Sequence, residues 1–222
     1  MKKLFFLCGL LTFLASCQTD SYDKGEGELS LTRADFVVAH ANNEKKIDQV
    51  VTDDGQTLTL QTPTSAKWIT TADSLYRAVL YYNQRETTDK MVEPVALSQI
   101  TTLSPLPLEK FKEGIKTDPI TFESIWKSRN GKYINIGMYL KIGQIDNNEV
   151  HHTVGIAMEK VQTNADQTST AYLTFYHDQG NVPEYYSSKY YISIPCNEIK
   201  ADSVCITINS YKGIVKKKFS VK

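Results

Sequence analysis

The sequence predicts an all-β protein with two domains, an N-terminal small OB-like barrel followed by a C-terminal antiparallel β-sandwich. Short segments rich in β-branched and aromatic residues recur along the chain, and strong turn sequences separate them. No amphipathic helix longer than about two turns is visible in the pattern. A chain of 222 residues is long enough for one large domain or for two small ones, and the grouping of the strands favours two.

The first segment of the chain predicts export rather than folded structure. Two lysines precede an apolar run, Leu4–Ala15, which is shorter than the about 20 residues that span a bilayer as a helix. The run ends in the sequence LASC, which resembles the bacterial lipobox, where a peptidase cuts before the cysteine and acyl chains are attached to it. We therefore predict a lipoprotein signal peptide at residues 1–16 and lipidation, with palmitate among the acyl chains, at Cys17. The alternative is an ordinary secretory signal with an incidental cysteine.

The segment that follows predicts a solvated tether. Residues 17–28 hold four acidic residues and two glycines, a composition that cannot bury apolar area. Acyl chains on Cys17 anchor a protein to a membrane without a spanning helix. Acidic residues after the lipid-bearing cysteine also resemble the surface-export signals of Bacteroidetes lipoproteins. We expect the protein at the outer membrane, on its periplasmic or its cell-surface face.

Residues 29–103 predict the barrel. The turn sequence Asp53-Asp54-Gly55 is a strong hairpin signal between two short β-rich segments. The segment SLYRAVLYYN has apolar residues on both faces and suits a central strand. Five strands in about 75 residues fit a small OB-type barrel better than an open sheet. The predicted strands are residues 36–41, 49–52, 57–60, 74–83 and 91–100.

Residues 104–222 predict the sandwich. Two prolines in LSPLPLEKFKEG break any strand and place the domain boundary near Ser104. The segment TDPITFESIW predicts a turn that leads into a short helix or loop. After the turn sequence Asn130-Gly131, the segment YINIGMYLKI alternates and puts its aliphatic residues on one core face. Further strands are predicted at residues 149–160, 171–177, 189–194, 204–209 and 214–221.

Two cysteines remain in the predicted mature domains. Cys196 and Cys205 lie at the inner ends of strand-like segments across a short connection. Opposed residues at the base of a hairpin reach disulfide geometry, with Cα atoms about 5.5 Å apart, and an exported protein meets an oxidising compartment. A disulfide between them is therefore one prediction, and two buried free thiols are the other.

The sequence resembles the NigD-like lipoprotein family of Bacteroidetes. The resemblance rests on the lipobox and on segments that include DDG, YRAVLYY, DPI, YINIGMYLKIG, HHTVGI and LTFYHDQGNVPEYY. At His177-Asp178 the sequence departs from the His-Asn expected of the family. The resemblance implies an N-terminal OB-type domain, a C-terminal β-sandwich, and a non-enzymatic envelope lipoprotein associated with bacteriocin immunity.

Catalytic signatures are missing from the sequence, so we predict a non-enzymatic protein without cofactor or metal. No serine has a Gly-x-Ser-x-Gly context, and the glycines of GEGE lack the strand and helix that flank a phosphate loop. The alternative hypothesis is a metal-binding or hydrolytic enzyme that uses His151, His152 and His177, with Glu149 as a further ligand. It requires three or four converging ligands, whereas neighbours on a strand point to opposite faces.

The remaining surface features concern partners. Residues 29–103 carry seven Lys and Arg against nine Asp and Glu, a net charge of −2, so the barrel lacks the positive field that nucleic-acid binding by an OB-fold requires. Tyrosine offers rigid contact area with a polar tip and suits an unknown protein or glycan partner. The alternatives are half-buried strand tyrosines without a ligand, or a structural component of an outer-membrane assembly. The candidate binding surface consists of Tyr172, Tyr176, Tyr185, Tyr186, Tyr190 and Tyr191.

Overall fold

The structure, a computed structural model, describes residues 32–84, 90–144 and 151–221. In these ranges the chain forms 14 β-strands and short 3-10 turns, and it contains no α-helix. None of the helical segments described there is long and apolar enough to cross a bilayer. The predicted signal peptide, Cys17 and the tether lie outside the described residues, so what is said of them stays a prediction.

The first five strands form a closed barrel. They are β1 (Thr32–Ala41), β2 (Ile47–Thr52), β3 (Thr57–Thr64), β4 (Ser74–Asn83) and β5 (Met91–Gln99). Their order around the barrel is β1-β2-β3-β5-β4, and β4 pairs with β1 to close it. Five strands in this closed arrangement, with one parallel step between β3 and β5, form an OB-type barrel. The predicted OB-like fold is confirmed.

Side chains along β1 alternate between the barrel interior and its outer surface. Val37, Ala39 and Ala41 point inward and are fully buried, and Leu80 and Tyr82 of β4 fill the space beside these small side chains. The predicted turn joins β2 to β3. Its last residue, glycine 55, has a φ of 83°, which a residue without a Cβ adopts at little cost.

The remaining strands form a sandwich of two sheets. They are β6 (Thr101–Thr102), β7 (Pro105–Pro107), β8 (Thr121–Lys127), β9 (Tyr133–Ile142), β10 (Thr153–Thr163), β11 (Ser169–Asp178), β12 (Tyr186–Pro195), β13 (Ser203–Ser210) and β14 (Gly213–Ser220). One sheet has the order β14-β13-β11-β10-β7 and the other β6-β12-β9-β8. The predicted core face of β9 is confirmed, because Ile134, Ile136, Met138 and Leu140 are all buried between the sheets.

The sandwich is not antiparallel throughout. β11 pairs in parallel with β13, and the short strands β6 and β7 pair in parallel with β12 and β10. After β12 the chain crosses from one sheet to the other, so β13 does not return beside β12 as a hairpin. Hairpin spacing along the sequence does not reveal such a crossover.

One element differs from its predicted type. The segment TDPITFESIW predicts a turn and a short helix or loop, but its second half forms β8 and pairs with β9. The pairing shifts register between Phe122 and Ser124, and both Phe122 and Ile125 pack on the core. Their odd spacing conceals the period of two that identifies a strand.

Candidate functional site

The connection between β11 and β12 forms a polar cleft at one end of the sandwich. Gly180 and Asn181 take φ values of 60° and 62° there, which produce a tight turn. The cleft has a volume of about 590 Å³ and is lined by this loop together with Lys116, Asp118 and Glu184. Two of the predicted histidines, His152 and His177, lie at the base of this loop.

His152 and His177 are in direct contact although 25 positions separate them in the sequence. The Nδ1 atom of His152 lies 2.9 Å from the Nε2 atom of His177, and the rings stack at an angle of 21°. His177 is 1% exposed. The other ring nitrogens face backbone carbonyls: His177 Nδ1 lies 2.9 Å from Asp118 O, and His152 Nε2 lies 3.0 Å from Lys141 O.

A metal centre built on the three predicted histidines does not assemble in the described residues. His151 is exposed and is not part of the close histidine contact, and Glu149 lies outside the described ranges. In those ranges no group of three or more His, Cys, Asp and Glu side chains could hold a metal ion. The nitrogens of two tetrahedral zinc ligands lie about 3.3 Å apart, which is further than the nitrogens of this pair.

Charged side chains form ion pairs at the cleft. The Nζ atom of Lys116 lies 2.8 Å from Asp178 and 3.0 Å from Glu113. Hydrogen bonds from Lys116 and from the Gly180 N–H lower the pKa of Asp178, and the two carboxylates raise the pKa of Lys116. These groups are open to solvent, so their contacts shape the cleft more than they stabilise the fold.

Gln179 fastens the loop to the end of β9. Its backbone N–H donates to Asp118 Oδ2 at 2.7 Å. Its side-chain amide donates to the carbonyls of Lys141 and Val182, at 3.1 Å and 3.0 Å. The Lys141 carbonyl therefore accepts hydrogen bonds from both Gln179 and His152, so the histidine pair and the loop are attached to the same residue of β9.

A glycine at the end of β9 allows the loop to pack closely. A Cβ atom on Gly143 would lie 2.7 Å from the Pro183 Cβ and 2.9 Å from Cδ2 of Tyr185. Such distances are too short for any larger residue unless the loop moves. Gly143 thus fixes the position from which Tyr185 projects.

The six predicted tyrosines do not share one surface. Tyr172 and Tyr176 lie on β11 in the five-stranded sheet, where Tyr176 is buried against Phe111 with ring centroids 4.9 Å apart and Tyr172 lies beneath Lys160. The other four belong to the loop before β12 and to β12 itself, in the four-stranded sheet. The first two therefore do not extend the surface formed by the other four.

Three of these four tyrosines are exposed and one is an interior contact. Tyr185, Tyr186 and Tyr190 are 75%, 57% and 41% exposed. Tyr191 instead packs edge-on against Phe36 of the barrel, with ring centroids 5.1 Å apart, and lies beside Trp126. The exposed group lies beside an open edge of the sheet.

Half of β12 has a strand partner on one side alone, within the part of the chain that the structure describes. β9 pairs with β12 over its full length, whereas on the other side only the two-residue β6 reaches it. The N–H of Leu103 bonds the carbonyl of Ser193 at 2.9 Å, so the backbone of Ser193 faces this second side. Backbone groups alternate sides along a strand, so those of Ser187 and Lys189 face the same way. We call this surface the tyrosine edge: the exposed Tyr185, Tyr186 and Tyr190 with the outward backbone of Ser187 and Lys189.

A buried polar network joins the barrel to the sandwich. Arg77 Nη2 donates to Asp53 Oδ2 at 2.7 Å and to Asn135 Oδ1 at 3.1 Å, and Arg77 Nε donates to Ser193 Oγ at 3.1 Å. The guanidinium lies over the ring of Tyr133, 4.1 Å from its centroid. Sequence reasoning misses this network, although an arginine in the middle of the apolar strand SLYRAVLYYN is a signal for it.

The predicted disulfide is absent, because Cys196 and Cys205 are both free thiols. Cys196 is buried in a 3-10 turn at the end of β12 and belongs to the sandwich core, and burial raises the pKa of its thiol. Cys205 lies on β13, where the buried neighbours Val204 and Ile206 alternate with it, so it points to the outer face of the other sheet. The disulfide prediction assumes a hairpin that the crossover between sheets replaces.

Comparison with known proteins identifies the family. The sequence profile of the NigD-like C-terminal β-sandwich domain matches residues 102–221, which is more than half of the chain. The chain belongs to the NigD-like family. The predicted family membership is confirmed, and the matched range contains both the histidine pair and the tyrosine edge.

Solved structures support the fold over most of the chain. A NigD-like immunity protein from Bacteroides caccae ATCC 43185 is 21% identical, with a TM-score of 0.63 over 85% of this chain and 96% of its own. A protein of unknown function from Bacteroides vulgatus ATCC 8482 is 11% identical, with a TM-score of 0.62 over 85% and 90%.

A candidate lipoprotein from Bacteroides fragilis NCTC 9343 is also similar. It is 11% identical to this chain, with a TM-score of 0.56 over 86% of this chain and 98% of its own. No protein with a curated description matches the chain. At these identities the likeness concerns the fold alone.

Proposed function

We propose that this NigD-like protein is a non-enzymatic lipoprotein of the cell envelope that binds a protein partner at the tyrosine edge. The observation that carries the proposal is the open side of β12, where exposed tyrosines flank backbone groups that no strand of the described chain pairs. An extended segment of another protein can add to such an edge as a further strand.

One edge of the five-stranded sheet differs from this edge in charge. β14 ends the five-stranded sheet and carries three consecutive lysines, Lys216–Lys218, which discourage pairing with a further strand. The tyrosine edge has a single lysine, Lys189, and its charge is compensated by Glu123 at 2.8 Å. A protein partner fits this edge better than a glycan does, because only a polypeptide can continue the ladder of backbone hydrogen bonds.

The proposal also includes a lipid anchor at Cys17 and a role in immunity. Lipidation of Cys17 would hold the two domains at the outer membrane, on its periplasmic or cell-surface face, through a tether of residues 17–28. The fold shared with a candidate lipoprotein supports an anchored protein. The fold shared with an immunity protein supports a role in immunity to a bacteriocin, exercised by binding rather than by chemistry. Labelled palmitate that enters the wild type and not Cys17→Ser would support the anchor, and equal labelling of both would contradict it.

The decisive experiment tests whether a partner binds at the backbone of the tyrosine edge or elsewhere on the surface. Ser187→Pro removes an outward N–H and blocks the edge without removing a bond to β9, whereas Ser187→Ala keeps that N–H. We expect a partner captured from the envelope fraction of a Bacteroides strain to be retained by Ser187→Ala. Ser187→Pro should bind it at least about tenfold more weakly, a difference of about 1.4 kcal/mol.

A second pair of variants tests the tyrosines. The combined change of Tyr185, Tyr186 and Tyr190 to serine should abolish capture, because exposed aromatic anchors dominate binding energies. The control is Leu75→Ser with Met91→Ser, which removes two exposed apolar side chains from the barrel instead. Equal capture by the wild type, the triple serine variant and the barrel control would contradict the proposed surface.

A further inference from the structure

The histidine pair poses a problem of proton counting that does not depend on the proposed function. A backbone carbonyl oxygen only accepts hydrogen bonds. The contact with Asp118 O therefore requires a proton on His177 Nδ1, and the contact with Lys141 O requires one on His152 Nε2. These two bonds fix the tautomer of both rings.

The two remaining nitrogens then face each other as acceptors. A neutral imidazole carries one proton, and both are already assigned to the carbonyls. His152 Nδ1 and His177 Nε2 nevertheless lie 2.9 Å apart, which is hydrogen-bond distance. Three hydrogen bonds need three protons, so the geometry is complete only when the pair carries one proton more than two neutral rings.

We infer that His152 and His177 form a proton-binding site in which one shared proton bridges His152 Nδ1 and His177 Nε2, and that this proton clamps the base of the loop that leads into the tyrosine edge. The distance between the two inner nitrogens indicates that a proton, and not a metal ion, lies between them. A proton fits between nitrogens 2.9 Å apart, whereas two zinc ligands require about 3.3 Å in tetrahedral geometry. Backbone carbonyls accept hydrogen bonds from the two outer nitrogens. Neither ring can therefore move its proton from the outer to the inner nitrogen without losing its bond to a carbonyl.

The surroundings oppose a second positive charge on the pair. Asp178, at the end of β11, interacts electrostatically with His177, and the neighbouring segments carry Lys116, Asp118 and Glu113 before β8, Lys141 at the end of β9, His151 beside His152 and Glu184 in the loop. Lys116 is already paired with Asp178 and Glu113. Burial, and then the charge of His177, lower the pKa of His152, so a second proton enters in acid alone.

The proton ties three segments together. His152 precedes β10, His177 ends β11, and the carbonyl that holds His152 belongs to β9 and also holds Gln179 of the loop. Without the shared proton, the two lone pairs oppose each other, or one ring turns and gives up a carbonyl. Loss of the proton therefore loosens the loop from which Tyr185 projects.

NMR spectroscopy of the full chain labelled with ¹⁵N-histidine tests the site directly. The chain has four histidines, so each ring can be assigned with single variants. A titration between about pH 4 and about pH 9 brackets the ordinary histidine pKa of about 6.5. We expect the pair to titrate in two macroscopic steps separated by more than about one pH unit, which is the mark of coupled groups.

Between the two steps, three specific signals are expected. His177 Nδ1 and His152 Nε2 should appear protonated, and the two inner nitrogens should share one proton with shifts between the bound and free values. Independent titration of both rings near about pH 6.5 would overturn the inference. So would a ring in the opposite tautomer, or stoichiometric binding of added Zn²⁺ that perturbs both rings.

Two variants separate the shared proton from an ordinary histidine titration. His152→Gln should convert the titration of His177 into a single step. His151→Gln changes the neighbouring exposed histidine and should leave both steps in place. Because the wild-type titration is itself decisive, the inference can fail even if His152→Gln does not fold.

Discussion

Arg77 Nη2 lies 2.7 Å from Asp53 Oδ2, at the junction where the barrel meets the sandwich. The side chain of Arg77 is 2% exposed and that of Asp53 is 14% exposed. Asn135 and Ser193, from two strands of the sandwich, extend this pair into a network. Asn135 donates to Asp53 Oδ2 at 3.0 Å, and Ser193 donates to Asn135 Oδ1 at 2.7 Å. The ion pair lies within the barrel, and the sandwich contacts it through Asn135 and Ser193.

Removal of the arginine should destabilise the whole protein. Arg77→Met leaves Asp53 buried without its cation, and breaking one partner of a buried ion pair costs about 3–5 kcal/mol. Urea unfolding measures the free energy. The control is Arg129→Ala, because Arg129 is 81% exposed and lies 3.5 Å from Asp54; an exposed pair contributes about 0–1 kcal/mol. Similar losses from the two variants would contradict a buried network.

Tyr185 and Tyr191 are six positions apart, and the same substitution should destabilise the protein by different amounts at the two positions. Tyr191→Ser removes edge-on contacts with Phe36 and Trp126 and should cost at least about 1 kcal/mol of unfolding free energy. Tyr185→Ser changes an exposed side chain and should stay within about 0.5 kcal/mol of the wild type. Denaturant unfolding measures both, and a larger loss from Tyr185→Ser would contradict the assigned burial.

Local patterns in the sequence predict the strands but not how distant strands meet. The alternation of YINIGMYLKI and the turn Asp53-Asp54-Gly55 are local signals, and both predict the observed elements. β8 escapes prediction because its register shift between Phe122 and Ser124 breaks the period of two. The disulfide prediction fails because the sequence does not reveal that the chain changes sheets between Cys196 and Cys205.

The candidate site depends on such long-range meetings. Adjacent histidines and a histidine at a strand end are visible in the sequence, but the contact between His152 and His177 requires the antiparallel pairing of β10 with β11. The tyrosines are visible too. Only the sheet order shows that Tyr185 and Tyr186 lie beside an open edge while Tyr176 is buried.

Stability should fall in acid because the folded histidine pair, which already holds its shared proton, resists a second proton at His152. Burial, then the charge of His177, lower the pKa of His152 in the folded protein, although its bond to the Lys141 carbonyl acts the other way. Unfolded histidine has a pKa of about 6.5, so between the two values the unfolded chain binds more protons. The stabilisation that comes from excluding this second proton is complete above about pH 6.5 and is lost as pH falls through the lower folded pKa.

The variant His152→Gln should show a weaker dependence of stability on pH. In thermal unfolding measured across this range, His152→Gln should lose less stability on acidification than the wild type does, while His151→Gln should follow the wild type. Identical acid slopes for all three proteins would show that His152 does not carry the effect.

The cysteines should differ in reactivity. Thiolate is the reactive form, and Cys196 is buried with a raised pKa, whereas Cys205 is partly exposed. Iodoacetamide should label Cys205 in the folded protein and Cys196 only after unfolding, as read from peptide masses that separate both from Cys17. A peptide pair linked through Cys196 and Cys205 in the untreated protein would contradict the free thiols.

In-cell photo-crosslinking tests the tyrosine edge most directly. A photoreactive phenylalanine derivative placed at Tyr186 lies on the edge, and the same residue at Leu75 lies on an exposed position of the barrel. We predict a discrete protein adduct from position 186 that disappears when Ser187→Pro is added, and no such adduct from position 75. Absence of an adduct at 186, or one that persists with Ser187→Pro, would contradict strand addition at this edge.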